Sequence, residues 1–228
     1  MRYVVFLFAL LGLTSCAVKV PLNPDYYASK SRVGLILAVG EIDHWNSIYG
    51  GGLIGYAAVA ASGPGSKYEA PLLILQPELN PTEKLRSLYV DAFGVKGKKL
   101  ESIDEKFDRE SIKALKEFTT DKTDRKYYKK DLRYLREKYQ MDEVLIVTVQ
   151  YGIYSNLTYG VETSRFGATY IYPEIIDLKD NFIVYKGRSV GMIPIKGEWK
   201  TPPAYENLKN GIQLSIDKAI AVEREKYK

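Results

Sequence analysis

Two residue types that carry much of biological chemistry are almost missing from this chain. Among 228 residues there is one cysteine, Cys16, and one histidine, His44. A single cysteine forms no internal disulfide. A single histidine builds no multi-histidine metal site, and any Ser-His-Asp or Cys-His machine would have to use His44. No Gly-x-Ser-x-Gly elbow accompanies it. No Asp-x-Asp-x-Asp-Gly calcium loop occurs, and the glycine-rich stretch near residue 50 lacks the Gly-Lys-Ser/Thr of a phosphate loop. No cofactor is expected. Long apolar runs are scarce too. The run from Tyr3 to Leu13, at about 1.5 Å per residue, covers only about half of a bilayer's hydrocarbon thickness. Charge of one sign is not in excess either. The formal net charge is +5, mildly basic, which points away from a nucleic-acid partner.

What is present begins with the first sixteen residues. Arg2 is followed by the apolar run and then by Leu13-Thr14-Ser15-Cys16. A short positive stretch, an apolar stretch and small residues are the layout of a signal peptide. The four residues Leu13, Thr14, Ser15 and Cys16 resemble the lipobox of bacterial lipoproteins. That resemblance implies cleavage before Cys16, a diacylglyceryl group on its thiol, and acylation (palmitate-like) of the new amino group. Two or more acyl chains make a stable membrane anchor. With Ala17 rather than Asp after the cysteine, the resemblance implies the outer membrane, facing the periplasm. Commitment of Cys16 to lipid also accounts for a disulfide-free protein in an oxidising compartment. The expected organisation is a signal peptide over 1–15, a lipidated cysteine and tether over 16–31, and one domain over 32–228.

Within the domain, "RVGLILAVG" (32–40) reads as a buried first strand. A Gly-rich apolar insertion follows at about 49–66. In it Gly51 and Gly55 form a small-xxx-small pair beside Leu53, a pattern that lets backbones approach closely and that suits membrane or partner contact. "APLLILQP" (70–77) reads as a further strand. Asn80-Pro81-Thr82-Glu83 starts a helix with Leu85, Leu88, Tyr89 and Ala92 on one face. Residues 98–103 suit a short strand, and Asp108 caps another helix. "DRKYYKKDLRYLREKYQ" (124–140) reads as a helix with a core stripe of Tyr128, Leu132, Leu135 and Tyr139. Arg125, Lys129, Arg133 and Arg136 flank that stripe as a basic one, able to meet anionic head groups or an acidic partner. "DEVLIVTVQYGIY" (142–154) is a central strand. In "SRFGATYIYPEIIDL" Phe166, Ala168, Tyr170 and Tyr172 alternate onto one side, and Pro173 marks an edge or bulge. A turn at Lys179-Asp180-Asn181 leads to a returning strand, "FIVYKGRSVG". A last helix carries Tyr205, Leu208, Ile212, Ile216 and Ala219 on one face. The 19 tyrosines suit half-buried strands and contact surfaces. The expected fold is α/β: a single sandwich with a mixed, largely antiparallel sheet and helices mainly on one face.

"RVGLIL" after a proline-containing tether, the helix directly before "DEVLIVTVQYGIYS", and the hairpin "IYPEIIDLKDNFIVYKG" together resemble a group of periplasmic lipoproteins. These are similar to the TolB amino-terminal domain and to the lipoprotein activators of penicillin-binding proteins. The resemblance implies an adaptor that binds other envelope proteins and does no chemistry. The alternatives are a secretion or export subunit, forming an oligomer or touching membrane through the Gly-rich segment, and an envelope hydrolase. The hydrolase would need His44, with Glu41, Asp43 and Trp45 beside it, or the carboxylates Glu101, Asp104 and Glu105. "EIDHWNSIYGG" reads as a loop with His44 at the surface or in a capping role, and the three carboxylates read as a solvated face.

Overall fold

The computed structural model describes residues 19–49, 66–105, 107–122, 126–159, 161–200, 202 and 205–228. Three long strands form its frame: β1 (Val33–Tyr49), β3 (Glu143–Thr158) and β4 (Val161–Asp177). β3 is the middle one, parallel to β1 and antiparallel to β4. β2 (Leu100–Ser102) runs parallel to β1 on its other side. The outer edge of β4 is shared end to end by β5 (Ile183–Lys186) and β6 (Ser189–Pro194). The result is one six-stranded mixed sheet. Pro173 sits where β5 gives way to β6, and its carbonyl accepts from Gly187 N–H at 2.9 Å. Its missing N–H therefore faces the one gap in that edge, where no ladder bond is lost.

One sheet face is covered by α1 (Ser66–Leu75), α2 (Thr82–Val95) and α5 (Glu206–Glu225). Leu145, Val147, Val149, Ile153, Ile171 and Ile175 face these helices in the larger core. Among the described residues, the opposite face is covered only at the strand ends near Val144 and Ile176. There, the short helices α3 (Arg109–Ala114) and α4 (Tyr134–Tyr139) and their flanking segments close a smaller core around Ile36, Ile103, Leu132, Leu135 and Ile146. The sandwich is α/β with helices mainly on one face, as expected.

α5 lies almost backbone to backbone on the sheet. A Cβ on Gly167 would sit 2.1 Å from the Gly211 carbonyl oxygen, and one on Gly191 would sit 1.9 Å from the Ser215 carbonyl oxygen. Thr169 and Ser215 share a buried hydroxyl bond at 2.8 Å in the same interface. The missing side chains of Gly167 and Gly191 permit this approach, while Gly211, which weakens an isolated helix by about 1 kcal/mol relative to Ala, leaves room for Ile195.

Several expectations are corrected. β1 runs to Tyr49, so "EIDHWNS" is strand and not loop. "APLLIL" is helix, with Pro71 in its first turns. Among the described residues of the 124–140 segment, only 134–139 are helical. Before them the chain is extended, with bridges from Tyr127 to Phe182 and from Glu117 to Lys130. Asn181 is the reason. Its fully buried side chain accepts from Leu132 N–H and donates to the carbonyls of Tyr128 and Lys130, which holds that stretch open. "FIVYKGRSVG" is two strands, broken at Gly187-Arg188.

The part of the tether from Lys19 to Ser31 is packed rather than free. Val20 exchanges two backbone bonds with Lys186. Asn23 caps a 3-10 turn at Pro24–Ala28. Tyr26 enters the core against Phe93 and donates to Glu143 Oε2 at 2.7 Å. Lys98, 3 % exposed, donates to the Tyr26 carbonyl and to Ser29 Oγ, and lies 3.6 Å from Glu143.

Candidate functional site

The extension of β1 brings His44 into the sheet interior. Its side chain points to the helix-covered face, with the ring centroid 4.6 Å from that of Tyr68 at the start of α1. His44 Nε2 is 3.0 Å from Ser155 Oγ on β3, and Ser155 donates to Glu162 Oε1 on β4 at 3.0 Å. A histidine, a serine and a glutamate thus meet, but not in a relay. Ser155 stands in the middle and gives its proton to Glu162, so His44 is the donor to Ser155 and not the base that activates it. Ser155 is 1 % exposed, which leaves no approach for a substrate carbonyl.

Glu162 is the hub. Lys67, Tyr68, Ser155 and Arg165 all donate to it. Burial works to raise its pKa, yet these donors prevail and hold the carboxyl down at about 2. Burial pushes the His44 pKa below its ordinary value, so the ring is neutral near pH 7. Trp199 closes the group, stacked on Tyr68 at 4.7 Å, with the Arg165 guanidinium 5.2 Å from its ring. The cluster joins β1, β3, β4, α1 and the segment after β6. It is a polar clasp. Ser155, Glu162, Arg165 and Tyr68 escaped sequence reasoning because they lie far apart in the chain, and only strand register brings them together.

The opposite face has a different character. Beyond the smaller core, no described element covers the half of the sheet carrying Trp45, Tyr154, Phe166, Tyr170 and Tyr172. These side chains are half-exposed. Trp45 lies 6.0 Å from Tyr170, Tyr154 6.4 Å from Phe166, and Tyr170 stacks on Tyr172 at 6.2 Å. The Arg188 guanidinium sits 5.1 Å from the Tyr170 ring. The alternation seen in the sequence at 166–172 is the β4 part of this surface. Rigid, half-exposed aromatic rings beside an arginine are the composition of a contact surface.

The remaining candidate residues do not converge. Glu101 is paired with Arg32 at 3.1 Å, and Glu105 with Lys138 at 2.7 Å. These carboxylates are spent on separate ion pairs, and the Asp104 carbonyl accepts from Tyr139. Lys129, Arg133 and Arg136 share no helix face, because Lys129 and Arg133 precede the first helical residue. Arg133 is held by Asp131 at 2.7 Å. Cys16, Leu13, Thr14, Ser15, Gly51, Leu53, Gly55 and Arg125 lie outside the described residues. Among the described residues, no group of three or more His, Cys, Asp or Glu could hold a metal, and no helix is long and apolar enough to cross a membrane.

No protein-family model and no curated protein matches the chain. Among solved structures, it is similar to the lipoprotein GNA1162 of Neisseria meningitidis at 12 % identity. That likeness spans 73 % of this chain and 86 % of the other, with a TM-score of 0.30. A neuraminyllactose-binding hemagglutinin homolog of Helicobacter pylori aligns at 11 % identity over 88 % and 87 % of the two chains, with a TM-score of 0.33. At scores this low neither likeness bears on fold or function.

Proposed function

We propose that the protein is a lipid-anchored envelope protein, held by acyl chains on Cys16, that acts as a non-catalytic binding or assembly factor for other envelope proteins. The observation that carries this reading is the spacing between the lipobox and the docked segment. Val20 is already tied to Lys186 by backbone bonds of 3.1 and 3.0 Å. The four residues from Cys16 to Val20 span at most about 14 Å. A lipid on Cys16 would therefore hold the domain close to the membrane surface, not on a long leash. On the family resemblance of Ala17 after the cysteine, that membrane is the outer one, with the domain facing the periplasm.

Two features support binding over catalysis. The His44–Ser155–Glu162 cluster is ordered as a clasp, and the open aromatic half-face offers rigid contact area. The test is crosslinking in cells at native expression, followed by capture of the protein. A defined envelope protein is expected, and its yield should drop when Trp45 and Tyr170 are both replaced by Ala. A yield unchanged by that double substitution would remove the half-face from the reading. Recovery of no envelope partner would count against the reading itself.

A further inference from the structure

A cleft of about 560 Å³ opens beside the point where Val20 joins β5, lined by Lys19, Lys126, Tyr127, Tyr172, Lys186 and Arg188 among others. Three separate parts of the chain build it, and backbone bonds fix them together. Val20 pairs with Lys186, Tyr127 bridges to Phe182, and Ile183 N–H donates to the Lys126 carbonyl at 2.7 Å. Four cations therefore meet on a firm frame. Lys186 is satisfied by Glu174 at 2.6 Å. Lys19 and Lys126 have no carboxylate partner among the described residues.

Arg188 is the informative member. Its guanidinium is 5.1 Å from the Tyr170 ring and 5.9 Å from the Tyr172 ring, so two aromatic faces position it. Its Nε is buried and has no hydrogen-bond acceptor. A buried N–H on a permanently charged group is rarely left unpaired. Around it four cations line the cleft, and the neighbouring carboxylate, Glu174, is held by Lys186. The charge of the cleft suits an oxyanion with several oxygens, met by the Arg188 guanidinium and the lysine ammonium groups that line it.

We propose that this cleft is a phosphate-binding site. The shared chemistry is a phosphate group, from an anionic lipid head group or from free phosphate in solution. The site itself stands on residues 19–188. Only its lipid source rests on the reading of Cys16 as the anchor, because that anchor would bring the cleft to the head-group layer.

The test uses the full chain in non-ionic detergent at low salt, titrated calorimetrically with inorganic phosphate. A Cys16→Ser chain is floated in parallel with vesicles of phosphatidylcholine alone or mixed with phosphatidylglycerol. Saturable binding to phosphate or to the phosphatidylglycerol vesicles is expected. Arg188→Met should weaken it at least tenfold, and a Lys19→Gln, Lys126→Gln double variant should weaken it to a similar degree. Arg188→Lys keeps the charge without the planar guanidinium fork, and an intermediate loss is expected. Binding to phosphatidylglycerol vesicles identifies the lipid source, and binding to inorganic phosphate alone identifies the soluble one. No saturable binding in either arm overturns the site, as does equal binding by the wild type and by every cleft variant that keeps the wild-type melting temperature. An amino terminus found unlipidated would overturn the anchor and leave both binding arms unaffected, so the two failures are distinguishable.

Discussion

Val20 and Lys186 exchange both of their backbone hydrogen bonds, at 3.1 and 3.0 Å, which fastens the amino-terminal segment to the outer edge of the sheet. A few residues on, the buried group of Tyr26, Ser31, Lys98 and Glu143 fastens it again. The folded body therefore includes the chain from Val20 onward, and a lipid on Cys16 would leave only a short tether before it.

This double attachment can be loosened in steps. Tyr26→Phe removes one hydrogen bond to Glu143 and should cost about 1 kcal/mol. Lys98→Met leaves Glu143 without its buried cation and should cost about 3 kcal/mol. Urea unfolding would give both values. Amide exchange should quicken over residues 20–31 in Lys98→Met before it quickens in β3. Uniform quickening across the domain would contradict a locally fastened segment.

Gly211→Ala gives a prediction whose sign depends on the fold. In an isolated helix the change is favourable by about 1 kcal/mol. Here a Cβ at Gly211 would lie 2.4 Å from Ile195 Cγ1, and overpacking of this kind costs about 1–3 kcal/mol. Thermal or urea unfolding should show net destabilisation, and Gly167→Ala more so, because its new Cβ meets backbone. Stabilisation by either change would contradict the close approach of α5.

How far each element was legible follows from how much its own neighbours in sequence decide. The strand alternation of β3 and β4 and the Leu208–Ile212–Ile216 stripe of α5 are local patterns, and they were readable. The α1 segment was not, because it carries apolar residues all round. Leu73 is 70 % exposed and Ile74 48 % exposed, so no helical stripe stands out. The second half of β1 hid its strand character because Asp43, His44, Asn46 and Ser47 are polar, and the β3 partners of His44 (Ser155) and of Ser47 (Tyr154 and Asn156) are supplied only by the register. The helix expected over 124–140 failed for a similar reason. Its stripe was real in spacing, but buried Asn181, far along the chain, claims the backbone groups of 128–132. The clasp and the phosphate cleft are products of long-range pairing, and they left no local motif.

Acid should weaken the protein in two separate stages. His44 has a folded pKa below its ordinary 6.5 because burial disfavours the charged ring. The folded state thus prefers neutral histidine, and this contribution, present above about pH 6.5, is lost as pH falls below it. Glu162 is the opposite case in charge but has the same direction. Its folded pKa of about 2 lies below the ordinary 4.5, so its contribution is full above about pH 4.5 and is lost between there and about pH 2. Urea midpoints measured from pH 7.5 to 2.5 should show both declines. His44→Gln should abolish the first and leave the second.

If the protein is a binding factor, its chemistry-bearing side chains are dispensable for activity. Chains carrying His44→Gln, Glu101→Gln or Asp104→Asn should each restore whatever envelope defect loss of the protein causes. Failure of His44→Gln at wild-type protein levels would revive the hydrolase alternative.

The central claim is a domain tied to a membrane by lipid on Cys16, and the mass of the mature amino-terminal peptide from native membranes tests it most directly. The expected peptide begins at Cys16 and carries the added mass of a diacylglyceryl group, with a further acyl chain on its amino group. A peptide that retains residues 1–15, or one with an unmodified Cys16 thiol, would contradict it.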